Sequence, residues 1–81
     1  MTLDCLPIGQ PAIITGLIEN GCDDAPIVNR LKEIGFIENT PILVENYAPF
    51  SKDPITVRAR GSLFAMRRSE AALICVQKDY A

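Results

Sequence analysis

The spacing of apolar residues predicts one helix in the first half of the chain. Ile27, Leu31 and Ile34 recur at intervals of three and four residues, which is typical of one face of an α-helix. Gly35 follows at the position where glycine commonly ends a helix, because glycine adopts a left-handed backbone conformation without steric cost. We therefore predict a helix over about residues 26–34.

The residues after this helix change to the pattern of a turn and a strand. Phe36 is placed to fold back onto Leu31, a contact that often accompanies a glycine cap. Glu38 and Asn39 can form the centre of a turn, since asparagine tolerates the positive φ that the third turn position can require. The apolar stretch at residues 41–47 then predicts a strand.

A second stretch, residues 54–60, alternates between apolar and polar positions. This alternation is typical of a strand with one buried and one solvated face. Its apolar positions are Ile55, Val57 and Ala59, and Gly61-Ser62 predicts a tight turn directly after it. Further strands are predicted at residues 12–18, with a bulge or bend at Gly16, at residues 63–67 and at residues 73–76, and a short helical turn is predicted near residues 69–72.

Five short strands with tight turns and one inserted helix predict a mainly β fold, a small five-stranded SH3-like antiparallel barrel. The chain has 81 residues, which corresponds to one small domain over residues 1–81 with its core at about residues 6–77. Hydrophobic residues make up 48% of the sequence, enough for a packed core.

Charge and composition narrow the possible functions. The formal net charge is −2 and the pI is about 4.9, so the overall field does not favour nucleic acid or anionic lipid. No apolar run approaches the ~20 residues of a membrane span, and the first residues lack the pattern of a signal peptide. Three widely spaced cysteines argue against a disulfide framework and fit a reducing compartment. We therefore expect a cytosolic protein.

The residues available for chemistry are few. The sequence contains no histidine and no Gly-rich phosphate-binding motif, and its ten acidic residues are scattered, so we expect no enzyme activity and no cofactor. Cys22, Asp23 and Asp24 are weak candidates for a metal site; alternatively, the aspartates serve the start of the helix and the cysteine is a small apolar residue. Cys75 lies in an apolar run and is expected in the core.

Exposed aromatic and basic residues are the candidates for partner binding. The loop after the second predicted strand carries aromatic residues that either bind a partner or cap an open end of the core. The basic residues either recognise acidic partner groups or are solvated charges, and the arginine pair is expected on the end of a strand. The candidates are Tyr47, Phe50, Arg30, Lys32, Arg67 and Arg68.

Three blocks of sequence carry a resemblance to a known family. They are the segment from Arg30 to Phe36 followed by Thr40, the triplet at residues 53–55, and the segment at residues 61–76. In these blocks the chain resembles the FeoA family over about residues 6–77. Two departures are conservative: Glu38-Asn39 stands where the family usually has Pro-Gly, and Met66 stands where it often has leucine.

The resemblance implies an SH3-like barrel that acts without catalysis in ferrous iron uptake. Its expected partner is FeoB, a membrane transporter with a cytosolic GTPase domain, which would recruit the chain to the inner face of the membrane. An alternative is a metal-responsive regulatory module, because the family is similar to the C-terminal SH3-like domain of DtxR-type repressors. A nucleic-acid-binding barrel would require a basic stripe with interleaved aromatics, and the scattered basic residues argue against it.

Overall fold

One antiparallel sheet dominates the fold, which is seen in a computed structural model that describes residues 1–19, 24–47 and 53–79. Within these residues, the strands are ordered β4-β3-β2-β1-β5 across the sheet. The elements are a 3-10 turn (Leu3–Cys5), β1 (Ala12–Leu17), α1 (Ala25–Glu33), β2 (Pro41–Tyr47), β3 (Ile55–Ala59), β4 (Ser62–Met66), α2 (Arg68–Ala71) and β5 (Ile74–Lys78). The predicted mainly β fold with one longer helix and a short helical turn is confirmed.

The end of α1 has the hydrogen bonds of a Schellman motif. The Gly35 N–H donates to the carbonyl of Lys32 at 3.1 Å, and the Phe36 N–H donates to the carbonyl of Leu31 at 2.9 Å. Gly35 has a φ of 106°, a backbone conformation that residues with a Cβ atom rarely adopt. Phe36 and Leu31 are both buried in the core, as predicted for the residue that follows this cap.

The predicted turn at Glu38 and Asn39 is also confirmed. The Thr40 N–H donates to the carbonyl of Ile37 at 3.2 Å, and Asn39 has a φ of 69°. The same turn is tied to β1, because the Asn39 N–H donates to the Ile14 carbonyl at 2.8 Å. The end of the helix and the start of β2 are thereby fixed against the sheet.

The core is made by the inward faces of the strands together with α1 and the N-terminal segment. Phe36 lies at its centre, fully buried, with its ring edge-to-face against Phe64 at a centroid separation of 5.1 Å. The predicted alternation in β3 is confirmed, since its three apolar side chains are buried. The predicted irregularity at Gly16 is confirmed by a shift of the β1–β5 register between Ile14 and Gly16.

Three details differ from prediction. The β3–β4 hairpin turns at Arg60 and Gly61, both with positive φ, and Ser62 is already paired with Ala59. This two-residue turn matches the strand twist better than a turn one residue later would. Ile34, the third apolar residue of the predicted helix face, is exposed, because α1 ends at Glu33. Val28, which is not part of the predicted face, is buried. Cys75 is half-buried rather than in the core, because the buried positions of β5 are its neighbours Ile74 and Val76.

The two edges of the sheet differ. The outer edge of β5 is partly covered by the N-terminus: Thr2 pairs with Cys75, and the Val76 N–H donates to the Met1 carbonyl at 2.9 Å. The outer edge of β4 has no strand partner within the described residues. In the described part of the chain, no helix is long and apolar enough to cross a lipid bilayer.

Candidate interaction surfaces

Glu70 links the Arg30 side chain to the Arg67 backbone at a junction between α1 and α2. Glu70 accepts a hydrogen bond from the Arg67 backbone N–H at 3.0 Å through Oε1, and its Oε2 forms an ion pair with Arg30 Nη2. The Glu70 side chain is mostly buried, whereas the Arg30 side chain is 60% exposed. The carboxylate therefore holds Arg30 beside the start of α2, and much of the guanidinium group still faces solvent.

Arg67 and Arg68 have different environments, and the expectation that the pair lies on the end of a strand is wrong, because β4 ends at Met66. Arg67 precedes α2 and Arg68 begins it, because the Asp53 carboxylate accepts the Arg68 backbone N–H at 2.9 Å and favours a helical turn there. The Arg68 guanidinium donates to the Asp4 carbonyl at 3.2 Å, which ties α2 to the N-terminal turn. The Arg67 side chain is 67% exposed, with Nη1 3.9 Å from Asp53 Oδ2.

Lys32 lies on a different surface from Arg30. Residues two positions apart in an α-helix, such as Arg30 and Lys32, are separated by about 200° around the axis. Lys32 lines a groove of about 460 Å³, which we call the α1–β1 groove. Its other lining residues are Gly16, Leu17, Glu19, Val28, Ile37 and Glu38.

The α1–β1 groove is lined by both apolar and charged residues. Ile37 is 43% exposed at one side of it, and Leu17 is half-buried. Glu19, Glu38 and Lys32 supply charges of both signs around these apolar groups. Sequence reasoning missed this groove because its walls come from three separate segments; the only local signal was an apolar residue, Ile37, within a predicted turn.

Most of the remaining predicted site residues lie outside the described residues. Phe50, Cys22 and Asp23 lie outside the described residues, and Tyr47 ends β2 with a side chain that is also outside them. Asp24 is the residue directly before α1. Among residues 1–19, 24–47 and 53–79, no three cysteine, aspartate or glutamate side chains are grouped closely enough to hold a metal ion.

Comparison with known proteins identifies the family. A model of the FeoA domain matches residues 1–78. FeoA of Stenotrophomonas maltophilia, solved in complex with zinc and described as an SH3 domain protein, is 31% identical, with a TM-score of 0.84 over 95% of this chain and 89% of that one. FeoA of Chlorobium tepidum is 32% identical, with a TM-score of 0.83 over 96% of this chain and 70% of that one.

More distant likenesses include a manganese regulator, a manganese-dependent transcriptional repressor and IdeR. IdeR of T. acidophilum is 23% identical, with a TM-score of 0.78 over 98% of this chain and 34% of that one. At this identity the match shows a common fold with part of that chain. A search of curated protein sequences finds no match. The FeoA-domain match over residues 1–78 and the two FeoA structures above 30% identity establish that the chain belongs to the FeoA family, with the SH3-like fold predicted for it.

Proposed function

We propose that this chain is a non-enzymatic accessory protein of ferrous iron transport that acts by contact with the cytosolic GTPase-bearing part of FeoB. The observation that carries the proposal is the FeoA-domain match over residues 1–78. The S. maltophilia relative, described as a candidate activating factor of bacterial ferrous iron transport, supports the same role. A surface for protein contact is then the feature that the fold has to provide.

The α1–β1 groove is the surface that we propose for this contact. Protein interfaces combine apolar contact area with polar and charged groups, and the groove offers both. Ile37 and Leu17 offer apolar area that is already exposed or half-exposed, so a partner side chain can cover it without unfolding the domain. Lys32, which lines the groove and is one of the predicted partner-binding residues, can then pair with a partner carboxylate.

A titration of the purified chain with the FeoB cytosolic domain tests both parts of the proposal. It is run by calorimetry with GDP or a non-hydrolysable GTP analogue, with and without Fe(II) kept reduced. If binding is absent under every condition, the proposed contact with the cytosolic domain is wrong. If binding occurs, Ile37→Asp should weaken it at least about tenfold, since it replaces exposed apolar area of the groove by a charge.

Ile8→Asp is the matched control for this variant. Ile8 is an exposed isoleucine, as Ile37 is, but it does not line the groove. The control should bind FeoB like the wild type, and thermal unfolding should confirm that both variants are folded. Equal affinities for the two variants would refute the groove while leaving the contact with FeoB intact.

The residues predicted from sequence remain a second proposal for the same contact. Arg67 and Arg30 each present an exposed side chain, and arginine suits bidentate recognition of carboxylates. Arg67→Glu should then weaken binding and reduce its salt dependence. Phe50→Ser tests the predicted role of Tyr47 and Phe50; a loss of folding stability with unchanged affinity would favour a core role for Phe50 instead.

The fold shared with IdeR and with a manganese regulator is consistent with a second candidate function, a metal-responsive regulatory module. Its residues would be the predicted candidates Cys22, Asp23 and Asp24. Under anaerobic conditions, Fe(II) should then bind the isolated chain saturably, and Cys22→Ser should weaken this binding while Cys5→Ser should not. Binding that is absent, or that is equally affected by both substitutions, would refute this candidate.

A further inference from the structure

The outer edge of β4 is the part of the described sheet that is open to another strand. β4 pairs with β3 on one side only, in a continuous register from Ser62 opposite Ala59 to Met66 opposite Ile55. The opposite edge of the sheet, at β5, is partly covered by Met1 and Thr2. The two edges are therefore not equivalent.

The register determines which backbone groups of β4 face outwards. Residues that flank a two-residue hairpin turn exchange hydrogen bonds with each other, and hydrogen-bonded pairs alternate with non-bonded pairs along an antiparallel ladder. Ser62, Phe64 and Met66 therefore bond to β3. The N–H and C=O groups of Leu63 and Ala65 point away from β3, and neither residue has a hydrogen-bond partner in the described structure.

The side chains of β4 offer little protection against pairing. Natural edge strands are commonly blocked by lysine, proline, inward-pointing charges or a bulge. The sequence of β4 is Ser-Leu-Phe-Ala-Met, without charge or proline, and its register with β3 has no shift. Leu63 is 55% exposed and Ala65 is exposed beside it, so the outer face of this edge is also uncovered.

We propose that β4 pairs in antiparallel orientation with β4 of a second copy of this chain, across a two-fold axis at Phe64. In this register Leu63 lies opposite Ala65 of the second copy, and the reverse pair follows by symmetry. The outward N–H and C=O groups of both residues then form four hydrogen bonds. The large leucine faces the small alanine, so side chains on that face fit without a steric conflict.

The properties of β4 favour a second copy over an unrelated strand. The pairing is self-complementary, as a two-fold interface requires. No charged residue lies in the paired segment, and the next position, Arg67, falls opposite Gly61 of the second copy rather than opposite another cation. Two five-residue strands bury far less than the ~1,200 Å² of a stable interface, so the dissociation constant should lie between about 1 µM and about 1 mM.

Sedimentation equilibrium over a wide range of protein concentration tests the proposal. The average mass of the wild type should rise from 8.9 kDa towards twice that value as concentration increases. Leu63→Lys should abolish the increase, because it places a charge on each side of the paired edge. Ala65→Pro should do the same, because it removes an outward N–H without removing a bond to β3.

Ile8→Lys is the matched control, since Ile8 is 51% exposed and lies outside β4. It should associate like the wild type, and thermal unfolding at low concentration should show that all variants are folded. A wild type that stays monomeric up to about 1 mM would overturn the proposal. So would a Leu63→Lys variant that associates like the wild type.

Amide NMR distinguishes β4 pairing from association through another surface. On dilution from high to low concentration, the amide signals of Leu63 and Ala65 should shift and their hydrogen exchange should accelerate. The Phe64 amide is bonded to β3 and should change its exchange much less. Concentration-dependent changes confined to Ile37 and Lys32 would place the association at the α1–β1 groove and overturn the β4 assignment.

Discussion

Replacing Gly35 by alanine should destabilise the domain through the backbone alone. A Cβ atom at Gly35 would lie 3.7 Å from the nearest atoms of the Arg60 side chain, which is an ordinary van der Waals contact. The φ of 106° is the unfavourable term, since a left-handed conformation costs an L-residue roughly 1–2 kcal/mol. Alanine also restricts the unfolded chain, which returns roughly 0.4–1 kcal/mol. We therefore expect a net loss of about 1 kcal/mol.

Gly16→Ala is the matched control for this prediction. Gly16 has no positive φ, and a Cβ atom there would meet no atom within 4 Å. Only the effect on the unfolded chain remains, so this variant should be unchanged or more stable by up to about 1 kcal/mol.

Urea denaturation and thermal melting measure the difference between the two variants. For a domain of this size, 1 kcal/mol corresponds to a change of about 4–8 °C in melting temperature. A Gly35→Ala variant as stable as Gly16→Ala would refute the role assigned to the left-handed cap. A loss above about 3 kcal/mol would refute it too, because backbone strain of this kind does not reach that size.

Five further variants probe three places, the turn, the helix junction and the core, each by urea denaturation. Asn39→Gly should be neutral or stabilising, whereas Asn39→Ala should cost about 1 kcal/mol at the positive φ of this turn; equal effects would contradict the assignment. Glu70→Ala should cost about 1 kcal/mol and more than Arg30→Ala, because it also removes the acceptor at the start of α2; the reverse order would be inconsistent with this role. Phe36→Ala should cost about 3–5 kcal/mol, a large share of the ~4–12 kcal/mol expected for 81 residues, and a loss below about 1 kcal/mol would contradict its place in the core.

Features fixed by neighbouring residues could be predicted from the sequence. The cap at Gly35 and the turn at Asn39 each depend on the φ that one residue can adopt, so residue type alone indicated them. The burial of alternate residues in β3 follows from the two-residue period of a strand.

Features that join distant segments could not be predicted in this way. The ion pair of Arg30 with Glu70 spans 40 residues, and the Asp53 carboxylate that starts α2 acts on Arg68, 15 residues away. Because of such contacts, Arg68 is bound to the N-terminal turn while Arg67 stays exposed. The sequence alone, with two adjacent arginines, does not predict this difference. The α1–β1 groove has the same origin, because it exists only once three segments have packed together.

The unequal edges of the sheet have a consequence for how large an assembly of this chain can grow. Filaments built by strand addition need two different free edges on every copy, one for each neighbour. In the described structure the N-terminal residues already occupy part of the β5 edge, and the β4 edge is open. Pairing through β4 uses the same edge of both copies and leaves no free edge of that kind for a third. Loss of the contacts that Met1 and Thr2 make with Val76 and Cys75 would free this second edge and convert a closed pair into a chain that can polymerise.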